Sequence, residues 1–328
     1  MFKSLYCHIG SGKTGTSSIQ GSFFQNPDIL RQHGVYTIRR PGVTVLPAMV
    51  DDPQQLFPVR SRNLGANALE KAHRQIKTGL AKAIRGGEFD TGVLSTEHCL
   101  GLSKPAVEKL KLFLDEYSPQ VRIVYYARHP YSKIPSTFNQ WIKTGQASLD
   151  RPISNYLRGF EQELSNWIDV FGKDNIIVRK FEVGDMTDHS PVADFCETIG
   201  KPDLYGDLEV VRSNEAISAP AALIADELNR YLSATKQQRA PYDFLTEIAG
   251  SKFTLPKERV LEIDELIQQQ LHFLRDTFGV DLKTPDFPEH DQSVATLFTP
   301  DVLLSIGKVM NNQALEIKAL KAKLKKLA

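Results

Sequence analysis

The run Leu5-Tyr6-Cys7-His8-Ile9-Gly10-Ser11-Gly12-Lys13-Thr14-Gly15-Thr16-Ser17-Ser18 decides the fold. Its first five residues have the apolar pattern of a short buried strand. Its middle is a turn holding three glycines, and a helix is predicted from about Ser17 onward to Phe24. A glycine-rich turn between a buried strand and a helix presents successive backbone N–H groups, and the helix dipole adds positive potential. Phosphate is what such a loop binds best. Gly12 and Gly15 lie in the cradle, Lys13 supplies a mobile charge, and Thr14, Thr16, Ser17 and Ser18 supply hydroxyl donors. The plainer alternative is a strand-to-helix connection with no ligand. Extra glycines, a lysine and four hydroxyls packed into one short turn count against it.

Working outward, further strands are predicted at 35–38, 92–95, 121–127 and 175–180, the third being the strongest. Helices are predicted at 67–84, 106–117, 130–143, 155–171 and 191–199, the first of these ended by Gly86-Gly87. Short, fully apolar strands alternating with helices indicate a parallel sheet covered on both faces. The fold class is therefore α/β, a three-layer sandwich around a central, mostly parallel sheet of the P-loop-like kind. Beyond residue 210 the pattern is helical only, at 216–233, 257–277 and 300–327. The chain thus divides into an α/β core, 1–212, and a helical C-terminal subdomain, 213–328. Between the first two strands and the helix at 67, residues 40–63 carry four prolines and read as a long loop, a kind of stretch more often functional or mobile than plain connection.

Composition excludes several classes. Of 328 residues 41% are hydrophobic and 24% charged, the profile of an ordinary globular protein. Forty Lys and Arg against 39 acidic residues leave a net charge of +1, so bulk nucleic-acid binding is not expected and any anion site is local. The first residues lack the apolar core of a signal peptide, and no stretch approaches the ~18 apolar residues of a membrane span. Cys7, Cys99 and Cys196 are far apart, with no CxxC, which fits reduced thiols and a cytoplasmic location. The histidines lack metal-type spacing, so no metal is expected.

A Walker A loop would need glycine five residues before Gly12, and that place is Cys7. What the loop resembles is the 5′-phosphosulfate loop of sulfotransferases that use 3′-phosphoadenylyl sulfate (PAPS). The core of that loop, Lys-[Ser/Thr]-Gly-Thr-[Ser/Thr]-[Ser/Thr], is filled by Lys13 to Ser18, and the string from His8 to Gln20 looks like the bacterial branch. The family's second motif is a strand ending in Arg with Ser eight residues later. Here Val124-Tyr125-Tyr126-Ala127 runs into Arg128, and Ser136 falls at that distance. A guanidinium at a strand end and a hydroxyl two helical turns on suit one phosphate. The resemblance extends over residues 5 to 215, including Phe181-Glu182. The animal cytosolic branch's Arg-Lys-Gly phosphate motif is absent, and Arg212 is the residue that could stand in for it.

The resemblance implies PAPS as donor, adenosine 3′,5′-diphosphate as product, and in-line sulfuryl transfer to a hydroxyl or amine. It implies Lys13 beside the bridging oxygen, the loop residues on the 5′-phosphate, and Arg128 with Ser136 on the ribose 3′-phosphate. A hydroxyl acceptor needs a general base. Glu97 and His98 follow a strand at the edge from which Lys13 and Arg128 emerge, and the family uses either a Glu or a His there. Glu97 is preferred, and His98 remains open; His129 reads as structural. Bacterial relatives often modify carbohydrates, which makes a glycan or small-molecule acceptor the expected partner, with Arg39, Arg40, Arg60 and Arg62 able to meet an anionic one. The lysine-rich helix at 300–327 suggests a solvated end, weak membrane-surface contact or self-association. Two other classes stay open: a P-loop kinase or ATPase using ATP-Mg, and a non-catalytic nucleotide-binding scaffold.

Overall fold

The computed structural model describes residues 1–38, 46–52, 65–143, 145, 148, 152–211, 217–235, 243–255, 257–286 and 297–327. Arg212, and Arg39, Arg40, Arg60 and Arg62 of the proline-bearing stretch, lie outside the described residues. The described residues form two compact units, each assembled from three stretches of chain. The first is Met1–His129, Arg158–Ser213 and Glu265–Lys283; the second is Pro130–Leu157, Asn214–Asp264 and Thr284–Ala328.

The first unit holds the sheet. Strands β1 (Ser4–His8), β2 (Val35–Thr37), β3 (Thr91–Ser95), β4 (Val121–Ala127) and β5 (Ile176–Lys180) lie in the order β2-β3-β1-β4-β5. Every pairing is parallel, with Cys7 opposite Leu94 on one side and Ile123 on the other. The central strands are covered on both faces, with β3 buried throughout and β1 and β4 almost so, while the edge strands β2 and β5 are only partly buried.

Two adjacent tyrosines on β4 show how the layers attach. Successive side chains of a strand point to opposite faces. Tyr125 donates to Glu163 on α6 (Phe160–Phe171), and Tyr126 donates to Asp194 on α7 (Pro191–Thr198) at 2.8 Å. Arg179 of β5 also holds Asp194, through Nε at 3.0 Å. The helices thus flank the sheet on both sides, and two buried carboxylates are satisfied by groups from neighbouring strands. On the α7 side, Ile19 and Phe23 of α1 (Thr16–Gln25) pack with Tyr126, Val192 and Phe195 in one apolar cluster. The three cysteines are free thiols, all buried, and burial pushes Cys7 and Cys196 up to about 12 and Cys99 well up.

Two predicted helices differ from what forms. The one expected at 155–171 is a 3-10 turn, Ile153–Tyr156, then α6 from Phe160. Gly159 is extended, and Gln270 Oε1 accepts the Glu161 N–H at 3.3 Å, so the helix starts where an external cap is supplied. The one expected at 257–277 is split into Lys257–Leu261 and Asp264–Phe278. Ile263 turns into the interior, and Asp264 accepts the Tyr131 hydroxyl.

The second unit contains helices at Pro130–Lys143, Ala219–Thr235 and Pro300–Leu327. The Asn139 side chain pairs reciprocally with the backbone of Ile217, both bonds 3.1 Å, and Asn229 Nδ2 donates to the Ile142 carbonyl at 2.8 Å. Phe138 stacks on Phe253. Among the described residues no helix is long and apolar enough to cross a membrane.

Candidate functional site

The chain leaves β1 toward β2 on one side of the sheet and leaves β4 toward β5 on the other. Between the carboxyl ends of β1 and β4 lies the switch point, where open α/β sheets bind ligands. The loop Ile9–Gly15 and Arg128 flank that point.

The loop is tightly wound. Gly10, Lys13 and Gly15 have φ of 53°, 67° and 76°. Lys13 carries a side chain in the left-handed region, a conformation that costs roughly 1–2 kcal/mol and persists where the surroundings enforce it. Arg128 is one enforcing group, because its Nη1 donates to the Lys13 carbonyl at 2.7 Å. Thr14 is another; it is buried and its hydroxyl donates to the Ser11 carbonyl. Thr14 therefore braces the loop from inside.

Two glycines have different reasons. Gly15 is the N-cap of α1, and a Cβ there would sit 2.7 Å from Pro191 Cβ and 3.3 Å from the Phe181 ring. A Cβ on Gly12 would meet nothing within 4 Å, and Gly12 has no positive φ. The fold itself makes no demand for glycine at that place, whereas a ligand laid against the backbone would.

Thr16 opens α1, and its hydroxyl oxygen is buried with no hydrogen-bond partner among the described residues. An orphaned buried hydroxyl at a helix N-terminus fits an anion at the loop. Ser17 is exposed and Ser18 half-buried. Lys13 is half-buried as well.

Arg128 follows β4 directly. It lies over the Phe181 ring, 5.4 Å from its centroid, and Phe181 is tied by its N–H to the Ala127 carbonyl at 2.7 Å. Burial pulls the guanidinium down to about 10. A cation held away from water in this way is poised for an anion. Ser136 is half-buried on the Pro130–Lys143 helix of the second unit. His129 is buried.

Beyond β3 the backbone continues parallel to β1, with the Thr96 N–H on the His8 carbonyl at 2.8 Å. Glu97–Cys99 then form a 3-10 turn, in which the His98 N–H donates to Thr96 Oγ1 at 3.3 Å. Glu97 and His98 thus stand at the same carboxyl edge as the loop. The chain before Arg212 is fastened to α1, where the Val211 N–H donates to Ser22 Oγ at 2.9 Å.

Sequence reasoning missed the layer beneath. His8 is fully buried, its Nδ1 lies 2.8 Å from Ser95 Oγ, and its Nε2 is buried without a partner among the described residues. Burial lowers its pKa to about 3, so the ring is neutral. Gln20 Nε2 donates to the Ser95 carbonyl at 2.8 Å. This bridge fixes α1 and the end of β3 to the strand that carries the loop. The available signal was the polar His8 at the end of an apolar strand.

No family model matches the chain, and no curated protein matches it. Among solved structures it is similar to a sulfotransferase from Alicyclobacillus acidocaldarius, with 15% identity over 71% of this chain and 96% of that one and a TM-score of 0.36. It is similar also to the sulfotransferase domain of the Synechococcus PCC 7002 olefin synthase, with 16% identity, 85% and 95% coverage and a TM-score of 0.37. A third is the sulfotransferase domain from the curacin biosynthetic pathway, with 13% identity, 81% and 97% coverage and a TM-score of 0.37.

Proposed function

We propose that this chain is a PAPS-dependent sulfotransferase that modifies a hydroxyl or amine, with a carbohydrate or glycoconjugate as the favoured acceptor. One observation carries the reading: Arg128 reaches across 115 residues of sequence to the Lys13 carbonyl. That bond joins the two motif halves at the switch point of the sheet. The orphaned Thr16 hydroxyl and the open face of Gly12 support a ligand at the same loop.

In this reading the loop N–H groups and the Thr16 hydroxyl hold the 5′-phosphosulfate, and Arg128 holds the ribose 3′-phosphate. Ser136 enters on its spacing from Arg128 alone. Lys13 neutralises the charge that collects on the bridging oxygen as the sulfur–oxygen bond to the 5′-phosphate breaks and the acceptor oxygen bonds to sulfur. Glu97, or His98 beside it, takes the acceptor proton, and the leaving electron pair stays on adenosine 3′,5′-diphosphate. Such a displacement depends chiefly on positioning and charge stabilisation.

Thermal denaturation with nucleotides tests the reading. Adenosine 3′,5′-diphosphate should raise the melting temperature clearly more than AMP or ATP with magnesium. Equal stabilisation by AMP would remove the 3′-phosphate contact. Preferential stabilisation by ATP with magnesium would overturn the donor in favour of a kinase or ATPase.

A further inference from the structure

The last helix of the second unit, here α8 (Pro300–Leu327), is 28 residues long, about 42 Å at 1.5 Å per residue. Its packing ends early. Val302 and Val309 are buried, and Ser305 between them accepts the Ala249 N–H at 3.1 Å. Every residue from Met310 to Leu320 is exposed.

The exposed stretch is not uniformly polar. Leu303, Met310, Ile317 and Leu320 leave 55%, 68%, 50% and 52% of their surface open. With Ile306, Gln313, Leu324 and Leu327 they recur at alternating spacings of four and three residues from 303 to 327. That is a heptad pattern, with 303, 310, 317 and 324 at a and 306, 313, 320 and 327 at d. All but Gln313 are Leu, Ile or Met. A sustained 3.5-residue repeat drifts around a straight helix and suits a supercoiled partner helix better than a flat surface. The docked residues Val302, Ser305 and Val309 fall at g, c and g, beside this seam and not on it. The helix can therefore stay attached while Leu303, Met310, Gln313, Ile317 and Leu320 of the seam are exposed and Ile306 is half-buried.

The flanks are complementary. Glu316 falls at g and Lys321 at the e position of the next heptad. In a parallel pair, g of one helix faces the following e of the other, so Glu316 would meet the partner subunit's Lys321, twice by symmetry. We propose that α8 pairs with its counterpart in a second copy of this chain as a parallel two-stranded coiled coil. Gln313, the one polar residue in the seam, fixes the register. The inference is independent of the sulfuryl-transfer reading, since its readout is mass and not turnover.

Sedimentation of the full chain over a dilution series should give twice the monomer mass, falling to monomer on dilution. Ile317→Asp with Leu320→Asp should give a folded monomer with an unchanged melting temperature for the rest of the chain. Glu316→Lys or Lys321→Glu alone should each weaken the dimer about tenfold, because two attractive pairs become repulsive; the two together should restore it. A monomer at every concentration would overturn the proposal. So would a dimer indifferent to the Asp substitutions, or a double charge swap no better than either single. Flotation with phosphatidylserine vesicles closes the remaining case: a monomer that binds them through this helix would assign the seam to a lipid surface instead.

Discussion

Replacing Arg128 by alanine separates a ligand contact from a structural strut. Burial holds the guanidinium at about 10, against an ordinary 12.5. Keeping it charged there therefore costs about 3.5 kcal/mol. The bond to the Lys13 carbonyl, from a charged donor, returns about 1.5–3 kcal/mol. The Phe181 ring returns about 0.5–1 kcal/mol more. The cost of burying the charge offsets much of what these two contacts return, so Arg128→Ala should cost the ligand-free chain less stability than the contacts alone would suggest. Ligand binding is different, because an arriving phosphate meets a cation already stripped of much of its water. Affinity for adenosine 3′,5′-diphosphate should fall by about 2–4 kcal/mol, roughly 30- to 800-fold. Urea denaturation without ligand and calorimetric titration with it read the two halves separately. A loss of several kcal/mol in ligand-free stability, with native affinity in the protein that still folds, would refute the reasoning and make Arg128 a strut. Arg128→Lys keeps the charge without the planar fork, so its affinity should fall between the two.

Further expectations concern the loop and its support. Gly15→Ala should destabilise the chain by about 2 kcal/mol or more, since φ is 76° and Pro191 stands in the way. Gly12→Ala should keep the melting temperature and lose nucleotide stabilisation; a folded Gly12→Ala protein that binds normally would show the open face to be incidental. Lys13→Gly relieves the left-handed backbone at φ 67°, so stability should change by no more than about 1–2 kcal/mol in chemical denaturation while sulfuryl turnover collapses. Glu97→Gln should lower turnover ~10²–10⁴-fold with affinity kept, and His98→Ala should do so instead if the histidine is the base; two active variants would place the base elsewhere. His8 supplies a pH dependence. The fold refuses its proton until about pH 3, while the unfolded chain accepts it near 6.5. Stability should therefore fall as pH drops below 6.5, by about 2 kcal/mol at pH 5. His8→Asn should flatten that slope between pH 6.5 and 5 in denaturation curves; an unchanged slope would mean the ring is not held neutral.

The sheet was legible because its central strands are buried on both faces. A fully buried apolar run such as residues 123–127 can do little else, and the residue that follows it, Arg128, was marked by contrast. The loop was legible through its crowding of glycines and hydroxyls. Individual roles were not, because they depend on direction. Thr14 and Thr16 look alike in sequence, yet one hydroxyl braces the loop and the other is left orphaned. The tie from Arg128 to Lys13, the Phe181 platform and the Gln20–Ser95–His8 bridge all cross long sequence separations, where spacing says nothing. Helix ends at Phe160 and Asp264 were missed for a related reason: Gln270 and Tyr131, which supply their partners, come from elsewhere in the chain.

The burial of all three thiols gives the molecule a silent chemical background. A thiolate is the reactive species, and Cys7, Cys99 and Cys196 are both covered and held far from ionising. An alkylating reagent can reach them only when the chain opens, so the native labelling rate measures openings of the first unit. The sites are spread over the central strand, the turn beyond β3 and helix α7, which lets mass spectrometry tell a local breath from a collapse of the whole sheet. A single thiol introduced at exposed Ser17 would react ahead of all three. Its shielding by an added nucleotide could then be followed without removing any native cysteine.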